Sequence, residues 1–120
     1  MKEYPFRITV SKFTPQKLEL SLYLESNKHL GVDLDFGSVC LFKEQLVAIL
    51  SRYKNQLPTC ATLSLKQVAF IDAEGLFSCV QMNNLFKKHG CMLVFNDVPF
   101  DVFRLFKITK LDKKVNLLLS

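Results

Sequence analysis

Polar and hydrophobic residues alternate in the first part of the chain, which is typical of strands that bury one face. One alternating run is Phe6–Val10 and a second is Leu18–Leu24. Thr14–Gln16, between them, has the composition of a turn, so we expect two neighbouring antiparallel strands. The next segment, residues 25–37, is polar and is predicted to be a loop with a short extended piece at residues 30–34.

Two longer stretches place hydrophobic residues at the steps of an amphipathic helix. The first is predicted over Val39–Leu57 and is ended by Pro58. The second follows Asp72 and ends at Lys87–Gly90, since basic residues and a glycine are typical of a helix C-terminus. Asn83 lies on the hydrophobic stripe of this second helix. Its amide there needs a hydrogen-bond partner or a position at the rim of the core. The predicted core-facing residues are Phe42, Leu46, Ile49, Leu50, Tyr53 and Leu57 in the first helix and Leu76, Cys79, Val80 and Phe86 in the second.

Buried strands are predicted on either side of the second helix. Thr59–Ile71 is interpreted as one strand, and the unbroken hydrophobic run Val68–Ile71 indicates that both of its faces are covered. Cys91–Phe95 is a second buried strand. A third helix is predicted from near Pro99, with Asn96 or Asp97 as its cap. Its predicted inward residues are Val102, Phe103, Leu105 and Phe106, and Val115–Leu119 is predicted to be a last short strand or a docked tail.

These elements alternate in the order β-β-α-β-α-β-α-β, and no linker or repeat divides them. Because strand–helix–strand units join parallel strands through right-handed crossovers, this order predicts an α/β domain. We expect a mixed, mostly parallel sheet of about four to five strands with about three helices. Residues 1–120 are predicted to form a single domain.

The junction between the strand ending at Ile71 and the second helix carries the most specific chemistry of the sequence. Asp72 is predicted to cap the helix, and Glu74 places a second carboxylate at the positive end of the helix dipole. Gly75 allows the backbone to pass close to a neighbour. Phe77 falls off the hydrophobic stripe and is a candidate exposed anchor for a partner. The plainer interpretation is a tight strand-to-helix turn with Phe77 in the core.

Basic residues exceed acidic ones, which gives a formal net charge of +5 and an isoelectric point near 9.1. Arg104, Lys107, Lys110 and Lys113 recur at every third position, with Lys114 beside them, and Lys87 and Lys88 are candidates to lie nearby. The series predicts a basic stripe along the third helix. It is either a solvated helix face or a surface for an acidic partner or phosphates.

Several classes of function are disfavoured by what the sequence lacks. The four cysteines form no C-x-x-C pair, and His29 and His89 stand in polar surroundings, so neither a metal site nor a catalytic triad is predicted. No phosphate-binding glycine loop is present. We therefore predict a protein that is not an enzyme and uses no cofactor. No leader or membrane-spanning run is apparent, which favours a cytoplasmic protein, and the motifs of common RNA-binding modules are absent.

The residues from Ser38 to Leu119 resemble the STAS domain, the fold of bacterial anti-sigma factor antagonists and of the cytoplasmic tails of sulphate transporters. The resemblance rests on Phe-Ile-Asp-x-x-Gly-Leu at residues 70–76, on Gly-x-x-Leu-Val at residues 90–94, and on the Asn-Asp-Val-Pro, Arg-Leu-Phe and Ile-Thr-x-Leu groups between residues 96 and 111. Two positions depart from the family pattern. Ala73 stands where antagonists carry a Ser or Thr that a partner kinase phosphorylates, and Lys110 stands where a glycine is common.

The resemblance implies a protein-binding regulatory module of transcription control, with an anti-sigma factor or serine kinase as partner. The alternative that it implies is an accessory subunit or regulatory domain of a membrane transporter. The predicted partner-binding residues are Asp72, Ala73, Glu74, Gly75, Phe77, Arg104 and Lys107. No membrane insertion and no nucleic-acid partner are expected, and the oligomeric state stays open.

The residues of the junction also predict how it is regulated. Residues 70–77 contain no hydroxyl, so no phosphorylation is expected there, and Ser78 is the nearest candidate. Glu74 imitates part of a phosphate field in one interpretation and only favours the helix start in the other. In the first interpretation, Glu74→Gln strengthens binding to a kinase-type partner. Phe77→Ala weakens binding if Phe77 is an anchor.

Overall fold

The computed structural model of the protein describes residues 6–24 and 31–120. His29 and part of the predicted loop at residues 25–37 lie outside them. In chain order the elements are β1 (Arg7–Phe13), β2 (Lys17–Tyr23), β3 (Val32–Leu34), α1 (Val39–Arg52), β4 (Cys60–Ser64), β5 (Val68–Ile71), α2 (Ala73–Lys88), β6 (Met92–Val98), α3 (Phe100–Ile108), a 3₁₀ segment (Leu111–Lys114) and β7 (Asn116–Leu119).

The main sheet has five strands in the order β1-β2-β4-β6-β7. β1 and β2 are antiparallel, and the other three pairs are parallel. This confirms the predicted α/β class, the mixed, mostly parallel sheet and the three helices. β7 confirms the predicted last strand.

The strand predicted over residues 59–71 is instead two strands in different sheets. β4 stays in the main sheet, where the Leu65 N–H still bonds to the Asn96 carbonyl at 2.9 Å. A turn follows, in which the Val68 N–H donates to the Leu65 carbonyl at 2.9 Å, and β5 then pairs in parallel with β3. The register of the β3–β5 pair shifts between Val68 and Phe70, and both Ala69 and Phe70 are exposed, so the expectation that both faces of the run are covered is wrong.

The two predicted long helices form, and most of their inward residues are buried. Phe42, Leu46, Ile49 and Leu50 of α1 and Leu76, Cys79 and Phe86 of α2 belong to the core. α1 ends at Arg52, five residues before its predicted end. The Lys54 N–H reaches back only to the Ser51 carbonyl, so the helical hydrogen-bond pattern stops there before Pro58 could end it. Tyr53, Leu57 and Val80 pack at the core's margin.

The third helix begins later than its predicted cap. β6 continues through Asn96 and Asp97 to Val98, so neither side chain caps α3, and the N-cap is Pro99 without a side-chain hydrogen bond. Val102 and Phe106 are buried as predicted, and Phe103 is half-buried. Leu105 is exposed, since only Val102 and Phe106 of α3 are buried. Its predicted inward position is wrong.

Cysteine serves as small hydrophobic filling at two of its four positions. Cys79 and Cys91 are buried, as predicted for the second helix and the strand that follows it, while Cys60 is half-buried and Cys40 is exposed on α1. Burial, with a smaller contribution from neighbouring Cys60, raises the pKa of the Cys91 thiol to about 11. A thiol with so high a pKa is unreactive near neutral pH because the thiolate is the nucleophile.

Candidate functional site

Asp72 holds the start of α2 in two directions. Its Oδ1 accepts a hydrogen bond from the Gly75 N–H at 2.9 Å, which confirms the predicted N-cap. Its Oδ2 accepts from the Phe36 N–H at 3.0 Å, so the same carboxylate also fixes the loop between β3 and α1. Charge-assisted hydrogen bonds of this kind are among the stronger ones in proteins. Asp72 therefore holds the start of α2 and the loop before α1 together.

Gly75 is buried where the backbone of α2 passes β3. A Cβ built at this position would overlap the Leu34 carbonyl oxygen and the Ile71 side chain. This confirms the predicted close approach and shows that Gly75 acts through its backbone. No side chain larger than hydrogen fits without moving the start of α2.

The loop that carries Phe36 is fixed by a second set of hydrogen bonds. The Ser38 hydroxyl donates to the Asp33 carbonyl at 2.8 Å and accepts from the Asp35 N–H at 3.0 Å. Ser38 is buried. Together with the bond from Phe36 to Asp72, these contacts hold the loop on both sides of the phenylalanine.

Three phenylalanines attached to this junction have exposed side chains. Phe77 is 51% exposed, which confirms its predicted exposure. Phe70 and Phe36 are 52% and 79% exposed. We call these three residues the aromatic rim. Sequence reasoning missed Phe36, because it stands alone in a polar segment, and placed Phe70 in a covered strand because its neighbours are hydrophobic. The signal for Phe70 is its position opposite Asp33 in the β3–β5 pair, which sequence alone does not show.

Charge at the junction is negative, in contrast to the whole chain. Residues 31–38 and 68–78, which build it, contain the carboxylates of Asp33, Asp35, Asp72 and Glu74 and no Lys or Arg. Glu74 and Ala73 are exposed in the first turn of α2. The positive end of the helix dipole offsets part of this charge. The junction therefore combines three exposed phenylalanine rings with four carboxylates.

The predicted basic stripe is not one helix face. α3 ends at Ile108, Lys110 adopts the left-handed conformation with φ 61°, and Lys113 lies in the 3₁₀ segment. The helical periodicity expected of the series is therefore wrong, because the backbone changes conformation twice within it. Arg104 is exposed on α3, and the Lys107 ammonium lies 3.7 Å from Asp112 and 5.7 Å from the centre of the Phe103 ring. α3 packs on β5, which also contacts α2.

Lys87 does lie near the later lysines, as predicted. With Lys113 and Lys114 it lines a cavity at the C-terminal end of α2, away from Asp72. Asn83 confirms the expectation of a partner: its amide donates to the Lys114 carbonyl at 3.0 Å and accepts from Asn116 at 3.3 Å. These two bonds attach the 3₁₀ segment and the start of β7 to α2.

Hydroxyl and metal chemistry at the junction is limited in the described part of the chain. The Ser78 hydroxyl is buried and donates to the Gly75 carbonyl at 2.7 Å. No group of three or more His, Cys, Asp and Glu side chains within residues 6–24 and 31–120 has the arrangement of a metal site. In the same ranges, no helix combines the length and hydrophobicity needed to cross a bilayer.

The family whose sequence model matches is the STAS domain, over residues 29–120. Among solved structures, the chain resembles the murine Solute Carrier 26 family member A9 anion transporter in the inward-facing state, with 11% identity, a TM-score of 0.72 and coverage of 91% of this chain and 17% of that one. The chain thus spans about a sixth of the transporter.

Smaller proteins resemble the chain over most of their length. A putative anti-sigma factor antagonist from Thermotoga maritima has 19% identity and a TM-score of 0.66, with 98% of this chain and 86% of that one covered. The Bacillus anti-sigma factor antagonist SpoIIAA in its unphosphorylated form has 9% identity and a TM-score of 0.60, with coverage of 94% and 87%. These likenesses show the fold. No curated protein matches the chain.

Proposed function

Because the chain belongs to the STAS domain family, matched over residues 29–120, we propose that it is a non-catalytic, cytoplasmic regulatory module that binds another protein. In this proposal residues 1–120 act as one domain, and the partner is an anti-sigma factor or serine kinase of bacterial transcription control. The observation that carries the proposal is the aromatic rim. Three half-exposed or exposed phenylalanines on a rigid junction resemble the aromatic anchors that dominate the energy of protein interfaces.

We propose that the partner has hydrophobic pockets with basic residues around them. The rim supplies the rings, and the carboxylates of Asp33, Asp35 and Glu74 supply the negative charge that such a surface complements. Asp72 and Gly75 contribute by fixing the backbone, and Ala73 leaves room beside the rim. Arg104 and Lys107 border the interface through α3, which shares β5 with α2.

Regulation of this module does not proceed by phosphorylation of the junction in our proposal. Ala73 has no hydroxyl, and the nearest one, on Ser78, is buried and already bonded to the Gly75 carbonyl. A phosphate on Ser78 would bring a double negative charge into the packed turn. The interface is therefore always available to its partner, and control lies with the partner or with the amount of this protein.

Calorimetric titration of the protein with the anti-sigma factor kinase of its source organism tests the proposal. Phe77→Ala is expected to weaken binding at least about tenfold, since loss of an aromatic anchor costs more than ~1.4 kcal/mol. Leu118→Ala is the matched control, because Leu118 is similarly exposed, at 58%, but lies on β7. Equal affinities for the wild type and both variants would remove the rim from the interface.

The sign of the Glu74→Gln effect separates two ways in which the junction acts. If Glu74 contacts a basic partner surface, the variant weakens binding about two- to fivefold and flattens its salt dependence, since rim charges contribute little each. If Glu74 holds the junction in a phosphate-like state that repels a kinase-type partner, the variant binds more tightly. We expect the weakening, because no basic residue occurs in the two segments that form the junction to offset their carboxylates.

The alternative proposal is an accessory subunit or regulatory domain of a membrane transporter. It is favoured by the likeness to the anion transporter, which has a TM-score of 0.72 and covers 91% of this chain. A parallel titration with a detergent-solubilised anion transporter from the source organism distinguishes the two. Binding there, with none to the kinase, would favour the transporter.

A further inference from the structure

The cavity at the C-terminal end of α2 is separate from the junction and has a different chemistry. Its volume is about 620 Å³, which is within the range of small-molecule sites. α2, the start of β6, the 3₁₀ segment and the start of β7 form its walls. The lining includes Lys87, Lys113 and Lys114 but no Asp or Glu.

Positive charge in this cavity is not neutralised within the described residues. In residues 6–24 and 31–120, none of the three lysines has a carboxylate within ion-pair distance. Asp112, the acidic residue of the 3₁₀ segment, is paired with Lys107 instead. Three like charges in one concave site repel each other and favour a bound anion.

Two backbone carbonyls at the end of α2 have hydrogen-bond partners within the fold. The Gly90 N–H bonds to the Lys87 carbonyl and the Cys91 N–H to the Phe86 carbonyl, both at 3.0 Å, with Gly90 at φ 78°. This arrangement satisfies two of the free carbonyls of the last turn. The negative end of the helix dipole offsets part of the lysine charge, and the three ammonium groups leave the cavity positive.

The cavity walls are fixed, and they are not uniformly polar. Asn83 and Asn116 use their amides to hold the 3₁₀ segment and β7 in place. The Asn84 amide also lines the cavity and has no hydrogen-bond partner among the described residues, so it is free to bind a ligand. Val80, Met92 and Val115 supply a hydrophobic wall.

We infer that this cavity binds a small molecule that combines a phosphate group with a hydrophobic or aromatic part. The lysines and the Asn84 amide take the phosphate, since ammonium groups and amides donate to its oxygens. Val80 and Met92 cover the hydrophobic part. Inorganic phosphate binds the same lysines but has no hydrophobic part for Val80 and Met92 to cover. It is therefore the weaker ligand.

Phenyl phosphate is the probe, followed by NMR through the backbone amides and the side-chain amides of asparagine. Saturable shifts are expected at Asn84, at residues 87–92 and at residues 113–116, with weaker binding of inorganic phosphate. Replacement of Lys87, Lys113 and Lys114 together by Gln is expected to weaken phenyl phosphate binding at least about tenfold, since charge-assisted contacts are lost.

The matched control replaces Lys12, Lys54 and Lys66 by Gln, which changes the net charge equally at exposed positions elsewhere. It is expected to retain binding. Equal loss in both triple variants, shifts at lysines throughout the surface, or no saturation would overturn the inference. Binding to phosphatidic acid vesicles but not to phenyl phosphate would also overturn it, since a membrane surface would then be the ligand. Phe77→Ala should bind the probe normally, so this test is independent of the protein interface.

Discussion

Lys110 shows how a single residue can sit in a conformation that its side chain disfavours. Its φ of 61° is in the left-handed region, where a Cβ clashes with the following carbonyl oxygen at a cost of about 1–2 kcal/mol. The backbone turns there from α3 into the 3₁₀ segment. The STAS resemblance indicates that glycine is common at this position, and the left-handed φ is the physical reason.

Lys110→Gly is expected to stabilise the protein by about 0.5–1 kcal/mol, because relief of the strained φ outweighs the larger backbone entropy that glycine loses on folding. Lys110→Ala is the matched control, since it removes the same charge and stem but keeps the Cβ. Urea unfolding of the three proteins measures the effect. If Lys110→Ala and Lys110→Gly stabilise the protein equally, the source of the strain is the lysine side chain and not the backbone.

At the scale of elements, Asp72 connects three pieces of the chain that meet only in the folded state. It follows β5, caps α2 and accepts a hydrogen bond from the loop before α1. Its own N–H donates to the Leu34 carbonyl of β3 at 3.3 Å. The backbone segments that carry Phe36 and Phe77 are thereby joined at one carboxylate, which in our proposal lowers the entropy lost when the partner binds.

Asp72→Asn separates the two hydrogen bonds of this carboxylate. The amide oxygen can still cap α2, but the amide nitrogen cannot accept from the Phe36 N–H, so we expect a loss of about 1 kcal/mol. Asp72→Ala loses both bonds and should cost about 2–3 kcal/mol. Asp101→Asn, in the first turn of α3, is the control and should cost less than about 0.5 kcal/mol. An Asn variant as stable as the wild type would mean that the bond to the loop contributes nothing.

Features set by a few consecutive residues could be predicted from the sequence. The Asp72 cap, the close approach at Gly75 and the glycine at the end of α2 follow from local hydrogen-bonding and steric rules. Features that join distant segments could not. The pairing of β3 with β5 divides the predicted strand 59–71, and it leaves Phe70 exposed although its neighbours in sequence are hydrophobic.

The same limit applies to the candidate site. Phe77 could be recognised because it breaks the period of its own helix, whereas Phe36 enters the rim only through a hydrogen bond to a residue far along the chain. The predicted helical position of the basic series is wrong for the opposite reason. Its three-residue spacing is regular in sequence, but the left-handed Lys110 turns the later lysines away from α3 and toward the end of α2.

At the scale of the whole molecule, charge is separated between the two ends of α2. The carboxylates of the junction surround its first turn, and the three cavity lysines surround its last. This follows the direction of the helix dipole, so each group of charges is favourably placed relative to α2. In our two proposals, the protein partner and the phosphate-bearing ligand therefore meet different ends of α2 and opposite charges, so that they do not compete.

The parallel pairing of the central strands determines how quickly the protein folds. The main sheet forms only when Leu18 pairs with Ala61 and Leu63 pairs with Phe95. Each pairing requires the chain between the two residues to close as a loop, which costs entropy. We expect stopped-flow refolding on a scale of about milliseconds to seconds, with Leu63→Val slowing refolding. Ala48→Gly, on the exposed side of α1, should mainly speed unfolding. Refolding within microseconds would mean that the helices, and not these distant strand partners, limit the rate.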